Sequence, residues 1–377
     1  MNNRFRNLVY GLAFAIMVGF ILWIGRPIFI PIIAGIISVY VLSTTATWLG
    51  RVPVVGAFIP LWLRHIAALL VFIFLGFLLV VLFADNIQRV IALAPRYQET
   101  LLGFAADIAK MLGIDDEPSW STISNLVLGE IDLQRLISTT VASVSVLGGQ
   151  VFVVFLYASF LLAERLHFSR KIVIAATNPN DARRIMEVVG SVNERIGNYL
   201  TVKTLVNVML GLISYACMRL IGVDFAGFFA VLIGVLNYIP YVGSMVGVAF
   251  PVLLTAAQFG TIEPIIIVLI SLTISQMFMG GVVEPRLLGR SMNLSPFVVL
   301  ISLTVWYALW GIGGAILAVP MTSVVVIILA EFKPTRPIAI LLSQDGHIAD
   351  QPAEAERAKR RKTKSDPHHD RVSMGSD

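Results

Sequence analysis

The sequence predicts an all-α, polytopic transmembrane bundle of about six crossings, with two further segments folded as broken helical hairpins. Three observations predict it. Of the 377 residues, 57% are apolar and only 14% are charged, against roughly a quarter charged in a soluble domain. So few charges cannot build a solvated surface, and lipid is the alternative solvent. Eight apolar segments punctuate the chain, at 8–25, 28–48, 66–84, 144–163, 204–222, 225–257, 264–283 and 296–331. Two of the eight are too long for a simple crossing and carry helix breakers near their middles.

The first segment, Leu8–Gly25, has the apolar core of a signal peptide but no small-residue cleavage site. It runs almost directly into the next span, so it reads as a retained helix. Six segments have the length of a crossing, which takes roughly 20 helical residues. At about 1.5 Å per residue, 225–257 would extend about 50 Å and 296–331 about 54 Å, whereas the hydrocarbon core is about 30 Å thick. The first of them is interrupted by Asn237-Tyr238-Ile239-Pro240-Tyr241-Val242-Gly243, the second by Trp310-Gly311-Ile312-Gly313-Gly314. Glycine and proline at these places favour a turn or an unwound stretch. Both segments therefore read as hairpins that enter and leave on one side; two kinked crossings with glycine-mediated close packing are the other reading.

Charge asymmetry bears on that choice, because short cytoplasmic loops are enriched in Lys and Arg. Arg4 and Arg6, Arg51 and Arg64, the series Arg165, Arg170, Lys171, Arg183, Arg184 and Arg195, and the tail cluster Arg357 to Lys364 all read as cytoplasmic. Eight simple crossings would put Arg286 and Arg290 outside. With both overlong segments re-entrant, six crossings remain and that loop falls inside. The two hairpins then enter from opposite sides, an inverted arrangement.

Domain organisation follows. Residues 1–84 hold the first transmembrane helices, 85–143 an extramembrane amphipathic region, 144–333 a transmembrane transport core and 334–377 a polar, disordered cytoplasmic tail. Within 85–113, Ile87, Val90, Ile91, Ala94, Tyr97, Leu101, Phe104, Ile108 and Met111 recur at helical spacing, with Pro95 expected to kink the helix. The acid-rich 85–143 region reads as outside, where it can cap the bundle, lie on the membrane, contact a second subunit or simply pack. The basic tail reads as a topogenic, solvated segment that anionic lipid would also attract. Nucleic-acid binding is excluded for want of a fold motif or aromatic interleaving.

Enzymatic chemistry finds no footing. There is no G-x-x-x-x-G-K-[ST] loop, no nucleophile elbow and no H-E-x-x-H. The five histidines lie at span edges, in loops or in the tail, and Cys217 is the only cysteine. No cofactor and no metal are expected. Broken intramembrane helices, by contrast, expose backbone polar groups that are tolerated where they line a cavity. Paired interruptions in the two halves of a transporter are the best sequence pointer to its substrate site. The candidate substrate-binding or gating residues are therefore Asn237, Tyr238, Pro240 and Gly243 in one break, Gly311, Gly313, Gly314 and Pro320 in the other, and Gln276 on the apolar segment between. Glu284, next to Arg286 and with Arg290 nearby, is an ionisable group near membrane depth. It can relay a proton, bind a cation, or form a structural ion pair with Arg286 or Arg290. Lys203 is expected to snorkel to the inner surface.

The residues Asn237 to Gly243, Pro251, Glu284-Pro285-Arg286-Leu287-Leu288-Gly289-Arg290, and Leu294-Ser295-Pro296 through Gly311, Gly314 and Ala318-Val319-Pro320 resemble the autoinducer-2 exporter family. The resemblance extends over nearly all of 1–333, including the Arg26-Pro27 junction, and is specific in the last third. It implies a bacterial inner-membrane permease without ATPase subunits, whereas the cytoplasmic placement of both termini rests on the charge asymmetry above. It also implies export of a small polar metabolite such as autoinducer-2, sodium/proton antiport in some members, and a homo-oligomer, a pentamer among the forms admitted. The expected function is a secondary transporter with alternating access between the two hairpins. The alternatives are a cation/proton antiporter using Glu284, or a non-transporting membrane scaffold acting through 85–143 and the tail.

Overall fold

The computed structural model describes residues 3–49, 60–111, 133–175, 178–288, 294–332, 334–344 and 346. Among the described residues every regular element is helical, with one isolated bridge between Leu294 and Ser343. Six helices there are long and apolar enough to cross a membrane.

Helices α1 (Asn3–Ile24) and α2 (Arg26–Leu49) are separated only by Gly25, whose N–H bonds the Ile21 carbonyl at 2.8 Å. Helix α3 (Leu61–Met111) is 51 residues long, about 77 Å at the helical rise. Its apolar part, Leu63–Val90, passes without a break through Pro95 into the amphipathic arm. The domain boundary expected at 84/85 thus falls inside one continuous helix. Helix α4 (Leu133–Ala175) crosses α2 at Gly35, where a Cβ would stand 2.9 Å from Tyr157 Cβ. Small residues at such crossings let helix backbones approach in the absence of a hydrophobic drive between them.

Helix α5 (Pro179–Ile221) is the axis of the molecule and ends at Gly222, in a left-handed conformation with φ 86°. It packs against α2 and α4 and, further along the chain, against Ala226–Leu236, Ile262–Phe278, Glu284–Leu288 and Pro296–Glu331. Its buried residues include Tyr199, Lys203, Asn207, Leu210, Ser214 and Met218, three or four apart along one face. Such a stripe is normally apolar; here it carries an amine, an amide and a hydroxyl.

The first overlong segment is a true antiparallel hairpin. Helix α6 (Ala226–Leu236) and helix α7 (Val242–Phe259) are joined by the Asn237–Tyr241 turn, with Tyr241 at φ 61°. A Cβ on Gly243 would fall 1.8 Å from the Leu236 carbonyl oxygen, and one on Gly247 would fall 3.6 Å from Ile233 Cα. Contacts that climb one limb as they descend the other define a fold-back. Helix α6 also lies antiparallel on α5, since Gly234 faces the Asn207 carbonyl and Gly211 the Ala230 carbonyl, each at 3.1 Å from an added Cβ.

Helix α8 (Ile262–Phe278) continues through a π-helical segment, Met279–Val283, into the short α9 (Glu284–Leu288). The second overlong segment, α10 (Pro296–Glu331), turns back at Gly311, where φ is 63° and ψ −144°. Trp306 Nε1 donates to Thr322 Oγ1 at 3.0 Å, although sixteen residues of straight helix would separate them by about 24 Å. The length problem posed by the sequence is therefore resolved in both segments by chain reversal. Past residue 333, where a disordered tail is expected to begin, α11 (Arg336–Leu342) forms and packs against α10, burying Ala339. The basic cluster from Arg357 to Lys364 lies outside the described residues.

Candidate functional site

A buried polar cluster forms where α5 meets the turn of the first hairpin and the start of α9. Lys203 Nζ donates to both oxygens of Glu284, at 2.7 and 2.8 Å. The lysine side chain is 6% exposed and that of the glutamate 19%, so this is a pair withdrawn from solvent rather than a surface bridge. One turn along α5, Asn207 Oδ1 accepts from Asn237 Nδ2 at 2.8 Å. Beside Lys203, the Thr204 hydroxyl shares a hydrogen bond with the Tyr238 hydroxyl at 2.7 Å. Tyr199, a turn before Lys203, is also buried.

Local chain features put each group in place. The helical period of α5 sets Tyr199, Lys203 and Asn207 on one face. The α6–α7 turn presents Asn237 and Tyr238 to that face because Gly243 allows the limbs to touch. The π-helical segment inserts a residue ahead of Glu284, whose N–H bonds the Met279 carbonyl five residues back. Such insertions re-aim side chains and recur at functional sites.

Three buried side-chain atoms in the described residues have no partner: Asn207 Nδ2, Ser214 Oγ and Gln276 Nε2. All three belong to α5 and α8, the helices that flank the first hairpin. A buried polar group without a partner costs about 1–3 kcal/mol, and three of them around one hairpin mark a place suited to water or a polar solute. Gln276 Nε2 stands 3.7 Å from the Cβ position of Gly247, so α7 is glycine-bare where it passes the amide.

The sequence-selected residues are distributed as follows. Asn237, Tyr238 and Glu284 come together with α5, while Pro240 and Gly243 shape the turn that presents them. Gln276 borders the same hairpin. Gly311, Gly313 and Gly314 belong to the second bend, which packs on α1 and α2: Trp310 Nε1 donates to the Leu22 carbonyl at 2.9 Å, and Ile30 faces Gly313. Pro320 is buried in the returning limb. Glu284 pairs with Lys203 and not with Arg286, which is exposed; Arg290 lies outside the described residues. Lys203, expected at the inner surface, is instead one of the most deeply buried charges, because its glutamate partner supplies the compensation that snorkelling would have found in water. Sequence reading missed Lys203, Thr204 and Asn207 as site residues. For Lys203 and Asn207 a signal was present: with Tyr199 they recur every four residues where α5 enters its apolar segment 204–222.

A second cluster lies at the open ends of the same hairpin. Tyr97, on the arm of α3, donates to Asp224 Oδ2 at 3.1 Å. The Asp224 N–H donates to Gln258 Oε1 at 2.8 Å, and Gln258 Nε2 to the Gly222 carbonyl at 2.9 Å. Burial first, and then the Asp224 carboxylate, push the Tyr97 phenol up to about 12. An open cleft of about 550 Å³ lies alongside, lined by Asn86, Arg89, Leu93, Asp224 and Phe225.

This architecture has relatives. The family model described as AI-2E family transporter matches residues 12–333. A Borreliella burgdorferi protein provisionally named a transport protein is 30% identical over 249 residues, 66% of this chain and 67% of that one. Escherichia coli YhhT, likewise provisionally named a transport protein, is 31% identical over 221 residues, 57% of this chain and 62% of its own length. The Escherichia coli AI-2 transport protein TqsA is 31% identical over 193 residues, 51% of this chain and 55% of its own. The matched stretch thus spans between about half and two thirds of these relatives. Members of the family are transport proteins rather than enzymes. With a match that takes in both hairpins and every residue of the buried cluster, the chain belongs to the AI-2E transporter family and is a multi-pass membrane transport protein.

Proposed function

We propose that the chain is a secondary transporter of a small polar solute in the bacterial inner membrane, both termini cytoplasmic, with the Lys203–Glu284–Asn207–Asn237–Tyr238 cluster as the place where the solute is handled. The observation that carries this reading is the buried polar cluster at the tip of a fold-back hairpin. Helix α6 has 11 residues, about 16 Å, and cannot cross a hydrocarbon core of about 30 Å. That length supports a re-entrant first hairpin whose tip lies within the membrane. The reversal at Gly311 supports the same disposition for the second, and movement of the hairpins against the remaining helices would then alternate access.

The name of TqsA makes an autoinducer-2-like solute the first to try. Purified protein in sealed proteoliposomes should move labelled autoinducer-2 down an imposed gradient, and Asn237→Ala should slow that flux at least tenfold without loss of folded protein. Equal flux in the variant and the parent would remove the cluster from the transport path. Homo-oligomeric assembly is proposed with this reading, on the family resemblance, and the mass of the detergent-extracted complex tests it.

A further inference from the structure

Helix α11 lies across the open end of the second hairpin and is bonded to both of its feet. The Ser295 N–H, just before α10 begins, donates to the Leu342 carbonyl at 3.2 Å, and Leu294 bridges Ser343. At the other foot the Thr335 hydroxyl donates to the Leu329 carbonyl at 2.7 Å. Arg184 Nη2 also reaches that foot, donating to the Glu331 carbonyl at 2.8 Å. Packing uses one side of α11 only. Ala339 is buried, whereas Pro337, Ile338, Ile340 and Leu341 are exposed, Leu341 by 80%. A helix of seven residues cannot hold itself in water, and an exposed apolar patch of this kind marks a contact surface.

Two observations say what covers it. The exposed apolar residues Val325, Ile328 and Phe332, three and four apart on one face of the last limb of α10, run to the turn into α11. That limb belongs to a helix apolar enough to cross a membrane, so the patch on α11 begins where its lipid-facing stripe ends. The free charge at this foot is also positive. Residues 332–344 hold Lys333 and Arg336 and no acid. Arg336 is exposed and makes no ion pair among the described residues, while Glu331 is taken up by Arg184. Apolar side chains flanked by bases fit the headgroup layer of an anionic leaflet, whereas a second copy meeting this face with its own would oppose like charges. We propose that α11 is an interfacial anchor: Ile338 and Leu341 lie in the headgroup and upper acyl layer of an anionic membrane surface, and the helix holds both feet of the second hairpin there. The proposal takes from the preceding reading only the cytoplasmic side of this end, and it adds a lipid contact that neither the hairpin nor the buried cluster requires.

A nitroxide at position 341 tests this. The full-length protein carrying Cys217→Ser and Leu341→Cys is spin-labelled and placed in vesicles of phosphatidylcholine with phosphatidylglycerol. Collisions with oxygen, which concentrates in lipid, are compared with collisions with a water-soluble nickel chelate. Oxygen should exceed nickel at least threefold, as it should for a label at Val325→Cys on the α10 stripe. The ratio should fall at least twofold in phosphatidylcholine alone, and Lys333→Gln with Arg336→Gln should bring it to that lower value in anionic vesicles. Nickel collisions exceeding oxygen would show a solvated patch and overturn the anchor. Low collision rates with both reagents would overturn it too, for they would mean a protein partner or a second copy on this face. Should the Leu341→Cys protein fail to fold, Ile338→Cys gives the same reading. The ratio is measured without solute, so lost solute flux with an unchanged ratio would count against the transport reading alone.

Discussion

Trp306 and Thr322 lie sixteen residues apart in one helical segment, yet the indole N–H of the first donates to the hydroxyl of the second at 3.0 Å. The bond is buried and joins the two limbs of α10 across the bend at Gly311. Trp306 also stacks at a tilt on Trp310, with ring centroids 5.0 Å apart, so the bend encloses an aromatic core of its own. Removing the Thr322 hydroxyl while the indole stays leaves a buried donor without a partner. Thr322→Val should therefore destabilise the protein by about 1–3 kcal/mol. Trp306→Phe with Thr322→Val should cost less than the sum of the two single changes, read as midpoints of thermal unfolding in detergent.

Gly314 and Gly243 do for the two hairpins what no other residue can. An added Cβ would fall 2.0 Å from the Trp306 carbonyl oxygen in one and 1.8 Å from the Leu236 carbonyl oxygen in the other. Both obstacles are backbone, so neither can rotate away. Gly314→Ala and Gly243→Ala should each open a hairpin and cost more than about 3 kcal/mol, in the range of severe backbone and overpacking defects. Gly280→Ala, which meets nothing within 4 Å, is the matched control. The yield of monodisperse protein and its thermal midpoint check both.

Asn237 gives a sharper test of the cluster. Its amide donates to Asn207 Oδ1, and the other amide atom of Asn207, Nδ2, already lacks a partner. Asn237→Ala should leave the whole Asn207 side chain unpaired and cost about 1–3 kcal/mol. Replacing both asparagines with leucine should recover part of that loss while abolishing flux. Recovery of stability with retained flux would assign the pair to packing.

Tyr97 and Asp224 link the α3 arm to the open ends of the first hairpin, and their bond has a defined pH signature. The Tyr97 phenol is raised from its ordinary value of 10 to about 12 in the folded protein. A group raised on folding contributes stability that is complete below the unfolded value and is lost as pH climbs through the folded one. The thermal midpoint of wild type should therefore fall between pH 10 and 12 by more than that of Tyr97→Phe. Parallel decline in both proteins would show that Tyr97 contributes nothing there.

Much of this was legible in the chain itself. Lipid as the solvent follows from the scarcity of charge, and helical class follows because every backbone group must be satisfied within lipid. The positions of the two reversals, at Asn237–Gly243 and at Gly311, were legible because breakers act on the backbone where they stand. Asn237, Tyr238 and Glu284 were legible as polar groups in apolar surroundings. The α5 members of the site were harder to see. With the span taken to begin at residue 204, Lys203 read as a border charge free to reach water.

The sequence by itself determined the solvent, the helices and the places where they break, because each depends on residues within a few turns of one another. Only the tertiary structure decided which groups meet. Lys203 and Glu284 are 81 residues apart, and Asn207 and Asn237 face each other only because Gly234 lets α6 approach the α5 backbone. Helical periodicity assigns a residue to a face, but the partner of that face is chosen by packing. Here packing replaced the expected arginine with a lysine on another helix, and it turned a charge expected at the membrane surface into the centre of the site.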